Sequence, residues 1–574
     1  MKLSPGVTLP FAAWIAPKTA LRGAPEVAAL SDSSKGGPPP FFSKAEARPG
    51  VSCDWFTQPV DHDHPNGTLG TWTQQYCVSR EWWAGPGSPV VIMTPGEVPM
   101  VGSVSPGLGY TFIDNTTMVG MYAQAIGAAT VVLEHRFFGS SSPFDGMDSE
   151  TLQYLTMEQA AADVVNFART IVFPFDLNQS SVATKAPWVY WGASYSATLG
   201  SWIEHFHPGV FYAFHLSSAT VEANSNNWYY YDAIREGINS KRNDTASVSG
   251  GCSLAFSNVV KFVDSFLLAP TRNATQVDAL KQFFGATFPI EDDDFAYSLA
   301  SPFRYWQETR GYRDILNMCD AVDFSDTQAV QDDILGTIPG VVTNYAAYFK
   351  QNFRDSTCTY FDVWGQEDPL WCLNTHDLLN PFFEARTLGN PWRTWYWLLC
   401  NEPIASWATG APAGKLSLVS RKIDSTYWQR QCEMHFPETN GQEYGSAMGK
   451  TPDTLNKATG GWLRNSTRVV YTTGDCGGDN EGTGLTTCVR YSEFDPWRST
   501  TMSSEIRPGG PLKSSDNVAV FLIKNAQHGD EAFTARGLES SRTRINPYVQ
   551  EVQDKSVEIM KKWISQYKAP TAGT

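Results

Sequence analysis

Residues 188–206 read WVYWGASYSATLGSWIEHF, an apolar run that meets a Gly-Ala-Ser-Tyr-Ser turn and continues with helical composition. Residues 188–191 have the β-branched and aromatic character of a buried strand, and residues 197–206 are typical of a helix. A serine flanked at two positions on either side by small residues fits the sharp strand-to-helix turn that exposes a nucleophile. The segment therefore predicts a strand, a tight turn that presents Ser194, and a helix directly after it.

The sequence on both sides of this turn alternates between strand-like and helical stretches. Apolar runs predict strands at 89–94, 129–134, 468–472 and 518–523, and helical patterns cover 157–171 and 549–567. Strands that alternate with helices indicate a parallel sheet with helices on both faces. Together with the serine turn, this pattern predicts an α/β-hydrolase fold.

The middle of the chain differs in character from its two flanks. After about residue 223 aromatic and polar residues mix, and helical segments such as 254–268 and 276–285 occur without clear strands. We expect a large, mainly helical cap domain inserted between the hydrolase halves. The expected division is a signal or leader segment at 1–45, a first hydrolase part at 46–222, the cap at 223–455 and a second hydrolase part at 456–574.

The composition excludes several classes of protein. Hydrophobic residues make up 42% of the 574 residues and charged residues 18%, which is typical of a folded globular chain. The net charge of -16 argues against nucleic acid as a partner, since phosphate binding requires a basic face. No apolar run of eighteen residues or more occurs, so no membrane span is expected. The sequence gives no indication of oligomeric state.

Cysteines and glycosylation sequons point to the secretory pathway. The ten cysteines include no close pair typical of zinc sites and could pair between neighbours as 53–77, 252–319, 358–372, 400–432 and 476–488. Asn-x-Ser/Thr sequons occur at Asn66, Asn115, Asn178, Asn243, Asn273 and Asn465. We expect a secreted, disulfide-bonded glycoprotein, with the vacuolar or lysosomal lumen as the alternative. The expected signal is weak, because prolines interrupt the first apolar stretch.

A serine nucleophile needs a base and an acid, which in this fold follow it in the order acid, then histidine. His528 is the only histidine after residue 435, and it follows the predicted strand at 518–523. Two aspartates compete for the acid: Asp475, soon after the strand at 468–472, and Asp495, twenty residues further on. Spacing alone favours these two aspartates almost equally as the triad acid. Such a triad requires neither metal nor cofactor, and we expect none.

The oxyanion hole should be built from backbone N–H groups. Tyr195 follows the nucleophile at the start of the helix and should supply one donor. The second should come from the loop after the strand at 89–94, at Gly96 or Glu97. The carboxylate of Glu97 has two interpretations, a loop carboxylate beside this hole or a recognition group for a substrate amine.

Several motifs in order along the chain resemble one family of serine peptidases. They are 56–62 (FTQPVDH), 134–143 (EHRFFGSSSP), 155–160 (LTMEQA), the turn at 192–196 and 495–498 (DPWR), with a further match around 395–402. The chain resembles the lysosomal Pro-Xaa carboxypeptidase family, which includes dipeptidyl peptidase II and the fungal acid prolyl endopeptidases. The turn departs from the family pattern at Ala193 and Ser196, where glycine is common; both residues are small.

This resemblance implies a function and assigns the acid. Because the family's acid lies in an Asp-Pro-Trp context, it implies Asp495 as the triad acid and Trp497 as a wall of a proline pocket. It further implies hydrolysis of proline-containing peptides through an acyl-enzyme, with cleavage on the carboxyl side of proline and activity at acidic pH. Residues 475–493 read as an insertion, which leaves Asp475 as the reserve acid.

The sequence is also compatible with two other functions. An esterase or lipase of the same fold would use the same triad, although its cap would be expected to carry a broad apolar lid. A catalytically inactive binding or storage glycoprotein would not need all three triad positions filled. The sequence does not distinguish endopeptidase, dipeptidyl peptidase and carboxypeptidase action.

Overall fold

A computed structural model gives the fold of most of the chain. The described residues are 50–100, 112–242, 251–286, 289–307, 311–322, 328–352, 374–380, 383, 386, 388, 390–404, 406–439, 441–475, 494–539 and 545–569. The expected leader at 1–45, Asn243, the cysteine pairs 358–372 and 476–488, and most of the insertion at 475–493 lie outside these residues.

A single large sheet forms the centre of the described chain. Its strands are β1 (Val51–Pro59), β2 (Thr71–Ser79), β3 (Val90–Met93), β4 (Ala129–Leu133), β5 (Trp188–Ala193), β6 (Ala213–Ser217), β9 (Val469–Asp475) and β10 (Val518–Lys524). Their order across the sheet is β1-β2-β4-β3-β5-β6-β9-β10. All neighbours from β4 to β10 in this order run parallel, whereas β2 pairs antiparallel with both β1 and β4. The expected α/β-hydrolase sheet is therefore present.

Helices cover both faces of this sheet because each presents an apolar stripe to it. They are α1 (Met118–Ile126), α2 (Ser149–Leu152), α3 (Met157–Thr170), α4 (Tyr195–Phe206), α14 (Ala535–Glu539) and α15 (Pro547–Ser565). On one face, α3 and α4 bury residues such as Val164 and Leu199. On the other face, α1 and α15 bury residues such as Tyr122 and Trp563. The ends of the strands, between these two helical layers, position the residues of the site.

A second, mainly helical unit lies between β6 and β9 in the chain, as the sequence predicts. Its helices are α5 (Tyr229–Arg242), α6 (Gly251–Leu267), α7 (Ala274–Phe283), α8 (Asp292–Ala300), α9 (Gly311–Ala321), α10 (Gly340–Asn352), α11 (Pro391–Asn401), α12 (Ser425–His435) and α13 (Pro452–Thr459). Helices α5–α10 and part of α12 share a separate apolar core that includes Phe256 and Tyr345, whereas α11 and α13 bury residues such as Trp397 and Leu455 in the core of the hydrolase. This unit is the cap of the hydrolase.

The sequence did not predict some details of the elements. The sequence shows no clear strands in the mainly helical cap, and the structure adds a short antiparallel hairpin there, β7 (Val330–Asp332) and β8 (Gly336–Ile338). Three-residue strands are too short for alternation to reveal them. Strand β6 was missed, because its apolar run follows the elbow helix closely. The expected cap boundary at residue 455 lies within α13 and stays a prediction.

Three expected disulfides are present among the described cysteines. Cys53–Cys77 joins β1 to β2, Cys252–Cys319 joins α6 to α9, and Cys400–Cys432 joins α11 to α12. Two of the three therefore staple the cap. No described helix combines the length and apolar character that crossing a membrane requires.

Candidate active site

Ser194 occupies a strained turn between β5 and α4. Its φ is 56° and its ψ is -129°, a conformation that residues other than glycine rarely adopt. A Cβ added at Gly192 would lie 2.6 Å from the carbonyl carbon of Ser196, so the turn has no room for a larger residue at that position. Ser194 is half-buried, whereas its neighbours in the turn are buried. Its hydroxyl makes no hydrogen bond to any described residue and is thus available as a nucleophile.

The departure from glycine at Ser196 is accommodated by two hydroxyl groups beneath the turn. The side chain of Ser196 lies 3.1 Å from Thr94 Oγ1 and 3.2 Å from the Tyr190 hydroxyl. Tyr190 also donates to the Ser196 carbonyl at 2.9 Å. The extra hydroxyl is therefore hydrogen-bonded in a buried position, where an unsatisfied one would cost stability.

His528 and Asp495 meet although 33 residues separate them. His528 Nδ1 lies 2.9 Å from Asp495 Oδ1, Asp495 is fully buried, and His528 is 8% exposed. The backbone N–H of Trp497 also donates to Asp495 Oδ1, at 3.0 Å. Among the described residues, His528 Nε2 has no hydrogen-bond partner. With Nδ1–H donated to the carboxylate, Nε2 is the ring nitrogen that can accept a proton.

The competing aspartate faces a different partner. Asp475 is the last residue of β9, and its Oδ1 accepts a hydrogen bond from Arg498 Nη1 at 2.8 Å. Arg498 also binds Glu505 at 3.0 Å. The structure thus brings Asp495, and not Asp475, to His528, and it places Asp475 in an ion pair with Arg498.

Short backbone contacts bring the serine turn and the histidine loop together. Ser194 N–H donates to the Ser217 carbonyl at 3.0 Å, at the carboxyl end of β6. The next residue, Ser218, accepts the N–H of Gly529 on its hydroxyl at 3.1 Å. Ser194 and His528 are therefore held on either side of the Ser217-Ser218 step, at the carboxyl edge of the sheet where sites of open α/β folds lie.

The loop after β3 packs against the first turn of α4. Gly96 has a φ of 72°, and a Cβ added there would lie 3.5 Å from Ser196 N and 3.7 Å from Tyr195 Cδ1. The first N–H groups of a helix have no intrahelical acceptor, so those of α4 are free to bind an oxyanion. Tyr195 and the loop of Gly96 and Glu97 are thus adjacent, as the predicted oxyanion hole requires.

Glu97 is a nearly buried carboxyl group beside the base. It is 6% exposed, and its side chain forms no hydrogen bond with another described residue. Burial raises the pKa of Glu97 to about 7, opposed by smaller effects of its own backbone N–H and of the nearby charge on His528. Burial lowers the pKa of His528, but Asp495, Glu97 and Glu531 together raise it above its ordinary value. Glu97 and His528 are therefore electrostatically coupled.

The Glu134-His135-Arg136 segment forms buried ionic and hydrogen-bond contacts that support this loop. Glu134 accepts the backbone N–H of Met100 at 2.7 Å and the hydroxyl of Ser141 at 2.6 Å. Arg136 forms a two-pronged ion pair with Asp163, at 2.6 and 2.7 Å. Glu134 thereby ties the end of β4 to the segment that carries Gly96 and Glu97.

Sequence reasoning missed a buried group that lies behind the histidine loop. Glu531 is 1% exposed, and His215 Nε2 lies 3.6 Å from its carboxylate. Thr472 donates to the same carboxylate, and the hydroxyl of Tyr122 lies 2.6 Å from His215 Nδ1. A histidine inside the missed strand β6 was the available signal, but its partner is more than 300 residues away in the chain.

The cap supplies a second set of contacts that the sequence did not indicate. Gln527 Nε2 donates to the Trp306 carbonyl at 2.9 Å, and Trp306 Nε1 donates to the Phe494 carbonyl at 2.9 Å. Trp497, the expected pocket residue, is half-buried, and its Nε1 donates to Gln307 Oε1 at 2.9 Å. Cap residues therefore contact both loops that carry the acid and the base.

Comparison with known proteins identifies the family. The sequence model of the family described as serine carboxypeptidase S28 matches residues 58–480. The chain belongs to this serine peptidase family. Serine protease vicPb of Bipolaris victoriae is 31% identical to the chain over 526 residues, which cover 90% of each protein.

One further relative and one solved structure were also found. A probable extracellular serine carboxypeptidase of Arthroderma benhamiae is 24% identical over 538 residues, covering 88% of this chain and 67% of the relative. Among solved structures, a lipase in its open form aligns with 90% of this chain and all of its own, at 11% identity and a TM-score of 0.30. At that TM-score the alignment adds nothing to the fold, which the sheet order and the family establish. The S28 chain is accordingly a serine peptidase that acts on peptide substrates.

Proposed function

We propose that this S28 peptidase hydrolyses peptide bonds with Ser194 as nucleophile, His528 as general base and Asp495 as the acid that orients it. The observation that carries the proposal is the His528 Nδ1 to Asp495 Oδ1 contact of 2.9 Å, with Nε2 left without a described partner. Since the tautomer with Nδ1–H leaves a lone pair on Nε2, this arrangement suits proton abstraction from Ser194.

The reaction would proceed through an acyl-enzyme. His528 takes the Ser194 proton as Oγ attacks the scissile carbonyl, and the N–H groups of Tyr195 and of Gly96 or Glu97 bind the oxyanion that forms. His528 then gives its proton to the leaving amine, the amine departs, and water repeats the sequence to release the acid. Asp495 stays ionised throughout and stabilises the imidazolium.

The proposed substrates carry proline on the acyl side of the cleaved bond. Trp497 lies two residues after Asp495 in the chain, and its ring packs edge to face on Tyr230 with ring centroids 4.9 Å apart. A rigid pyrrolidine ring packs well against such aromatic walls and lacks the N–H that other residues would need to satisfy there.

Activity at acidic pH, which the family resemblance implies, requires His528 to be neutral there. In the free enzyme the raised pKa of His528 opposes this, because a protonated imidazole cannot accept the serine proton. Protonation of Glu97, with a pKa of about 7, removes one of the charges that raise the pKa of His528. We propose that this coupling extends activity towards lower pH.

The proposed location is outside the cell, with glycans at the expected sequons. One relative is described as extracellular, and two of the three described disulfides staple the cap. Disulfides persist mainly in oxidising compartments. Asn66, Asn178, Asn273 and Asn465 are exposed, whereas Asn115 is half-buried, so the first four are the more accessible sites for attachment.

A comparison of substrates with and without proline tests this function. The purified protein is incubated with blocked and free-terminus peptides that carry proline or alanine at defined positions, beside Ser194→Ala. We expect cleavage after proline that the substitution abolishes. Hydrolysis of simple esters without any peptide cleavage would contradict the peptidase function and favour an esterase. The pattern of blocked against free termini separates endopeptidase, dipeptidyl peptidase and carboxypeptidase action.

A further inference from the structure

A single cap residue, Gln307, connects the two aromatic rings beside the candidate active site. It ends the short 3-10 helix Ser301–Gln307, and it is 9% exposed. Its side-chain oxygen accepts the Tyr230 hydroxyl at 3.0 Å and Trp497 Nε1 at 2.9 Å. Both rings are therefore fixed by one acceptor that comes from the cap.

These two hydrogen bonds determine which way the amide faces. A carboxamide oxygen has two lone pairs, and here both meet donors. Turning the amide over would set its NH2 group against the indole N–H, which can only donate. The Nε2 group must therefore point away from Tyr230 and Trp497.

The Nε2 group of Gln307 is left with its donors unused. It forms no hydrogen bond with any described residue, and Gln307 as a whole is 9% exposed. The neighbouring residue, Trp306, is held by Phe494 on one side and Gln527 on the other, the residues just before Asp495 and His528. The Gln307 donor is therefore carried by the residue next to Trp306, which links the loop of Asp495 to the loop of His528.

The chemistry of proline indicates what such a donor would bind. The peptide bond that precedes proline has no N–H, so this part of the substrate offers only a carbonyl oxygen for hydrogen bonding. We propose that Gln307 is a specificity-determining residue, whose Nε2 donates to the carbonyl of the residue before proline while its oxygen fixes the aromatic walls. This inference rests on the proposed function and names the peptide group that the site reads.

Two changes test the proposed hydrogen bond, one to its donor in the enzyme and one to its acceptor in the substrate. Gln307→Glu keeps an oxygen for Tyr230 and Trp497 but removes the donor. In the substrate, a thioamide replaces the carbonyl before proline, since sulfur is a poor acceptor. We expect each change alone to lower kcat/KM by about tenfold, mainly through KM, which is the size of one hydrogen bond to a neutral carbonyl. Combined, they should cost little more than either alone.

The controls separate this role from a general structural effect. Gln282→Glu places the same charge on an exposed position of the cap helix α7 and should leave kcat/KM unchanged. A small acetate ester is too short to reach Gln307. At the pH plateau its kcat/KM should therefore stay within about twofold of the value for the unaltered enzyme, because binding to Gln307 plays no part in its hydrolysis.

Distinct results would overturn the inference. Equal losses from Gln307→Glu on the amide and thioamide peptides, or no loss at all, would contradict the donor role. A matching loss on the small ester would make Gln307 a structural clamp only. If the variant does not fold, the two peptides are compared on the unaltered enzyme, where equal kcat/KM contradicts the proposal. Failure of the proposed function looks different: the unaltered enzyme and Ser194→Ala would then be equally inactive on every peptide.

Discussion

Asp475 and Asp495 illustrate how much the partner of a side chain decides its role. Asp475 shares Arg498 with Glu505, whereas Asp495 is fully buried against the ring of His528. A buried carboxylate that accepts the Nδ1–H bond fixes both the tautomer and the orientation of the imidazole. Loss of its charge should therefore affect turnover far more than loss of the charge on Asp475.

We expect Asp495→Asn to lower kcat by about 10³-fold or more, since the amide favours the wrong histidine tautomer. Asp475→Asn should lower it less than about tenfold, because it removes one partly exposed partner of Arg498. Steady-state kinetics on one peptide, with circular dichroism to verify folding, compares the two. Equal losses would contradict the assignment of the acid.

Glu97 is a second carboxylate whose charge affects the pKa of His528. Its negative charge favours the imidazolium form of His528 and raises the pKa of that ring. We expect Glu97→Gln to lower the pKa of His528, so that the acid limb of the kcat/KM profile moves to lower pH. The matched variant Glu551→Gln, on an exposed position of α15, should leave the limb in place. An unshifted limb in Glu97→Gln would argue against the coupling.

The serine turn shows what an element demands of its sequence. Strand β5 must end and α4 must begin within one strained residue, which Gly192 permits by the absence of a Cβ. The strain at Ser194 is maintained by the packing of β5 and α4 against their neighbours. The helix then starts with its free N–H groups beside the nucleophile.

Gly192→Ala should lower the free energy of unfolding by about 1–3 kcal/mol, because the added methyl group overlaps the backbone of Ser196. Urea unfolding followed by fluorescence measures this. Gly146→Ala is the control, since the atom nearest to its added Cβ is 3.8 Å away. A change below about 0.5 kcal/mol in Gly192→Ala would mean that the turn relaxes freely.

At the scale of the whole molecule, the cap has its own core and its own disulfides. Its contact with the hydrolase includes the Trp306 and Gln307 hydrogen bonds to the loops of Asp495 and His528. Loosening the cap should therefore affect the site even though the central sheet remains folded. The disulfide Cys252–Cys319 closes a separation of 67 residues within it.

Replacement of Cys252 and Cys319 by serine should destabilise the cap by about 2–5 kcal/mol, since the closed chain loses a long-range constraint. We expect a lower first transition in calorimetry and loss of peptide cleavage at temperatures where the sheet retains its circular dichroism. Replacement of Cys53 and Cys77, which join the adjacent strands β1 and β2, should leave peptide cleavage intact at those temperatures. Coincident loss of cap and sheet in the first variant would contradict independent cap stability.

The sequence by itself determined the hydrolase sheet, the helical cap, the serine turn and the position of His528. These features depend on local patterns, such as apolar runs, helical spacing and small residues around Ser194, which are readable over a few residues. It also anticipated the three described disulfides from spacing. Family resemblance, rather than spacing, favoured Asp495 over Asp475.

Only the tertiary structure decided which groups meet across long stretches of chain. No local sequence pattern reveals that Asp495 meets His528, 33 residues away in the chain. The same is true of the pairing of Asp475 with Arg498 and of the contact between Glu531 and His215. The same holds for Gln307, which lies 190 residues from Trp497. Hydrogen bonds and ion pairs act over a few ångströms in space. The tertiary structure, which brings distant segments of the chain together, therefore determines the partners of each side chain, and these partners determine its chemistry.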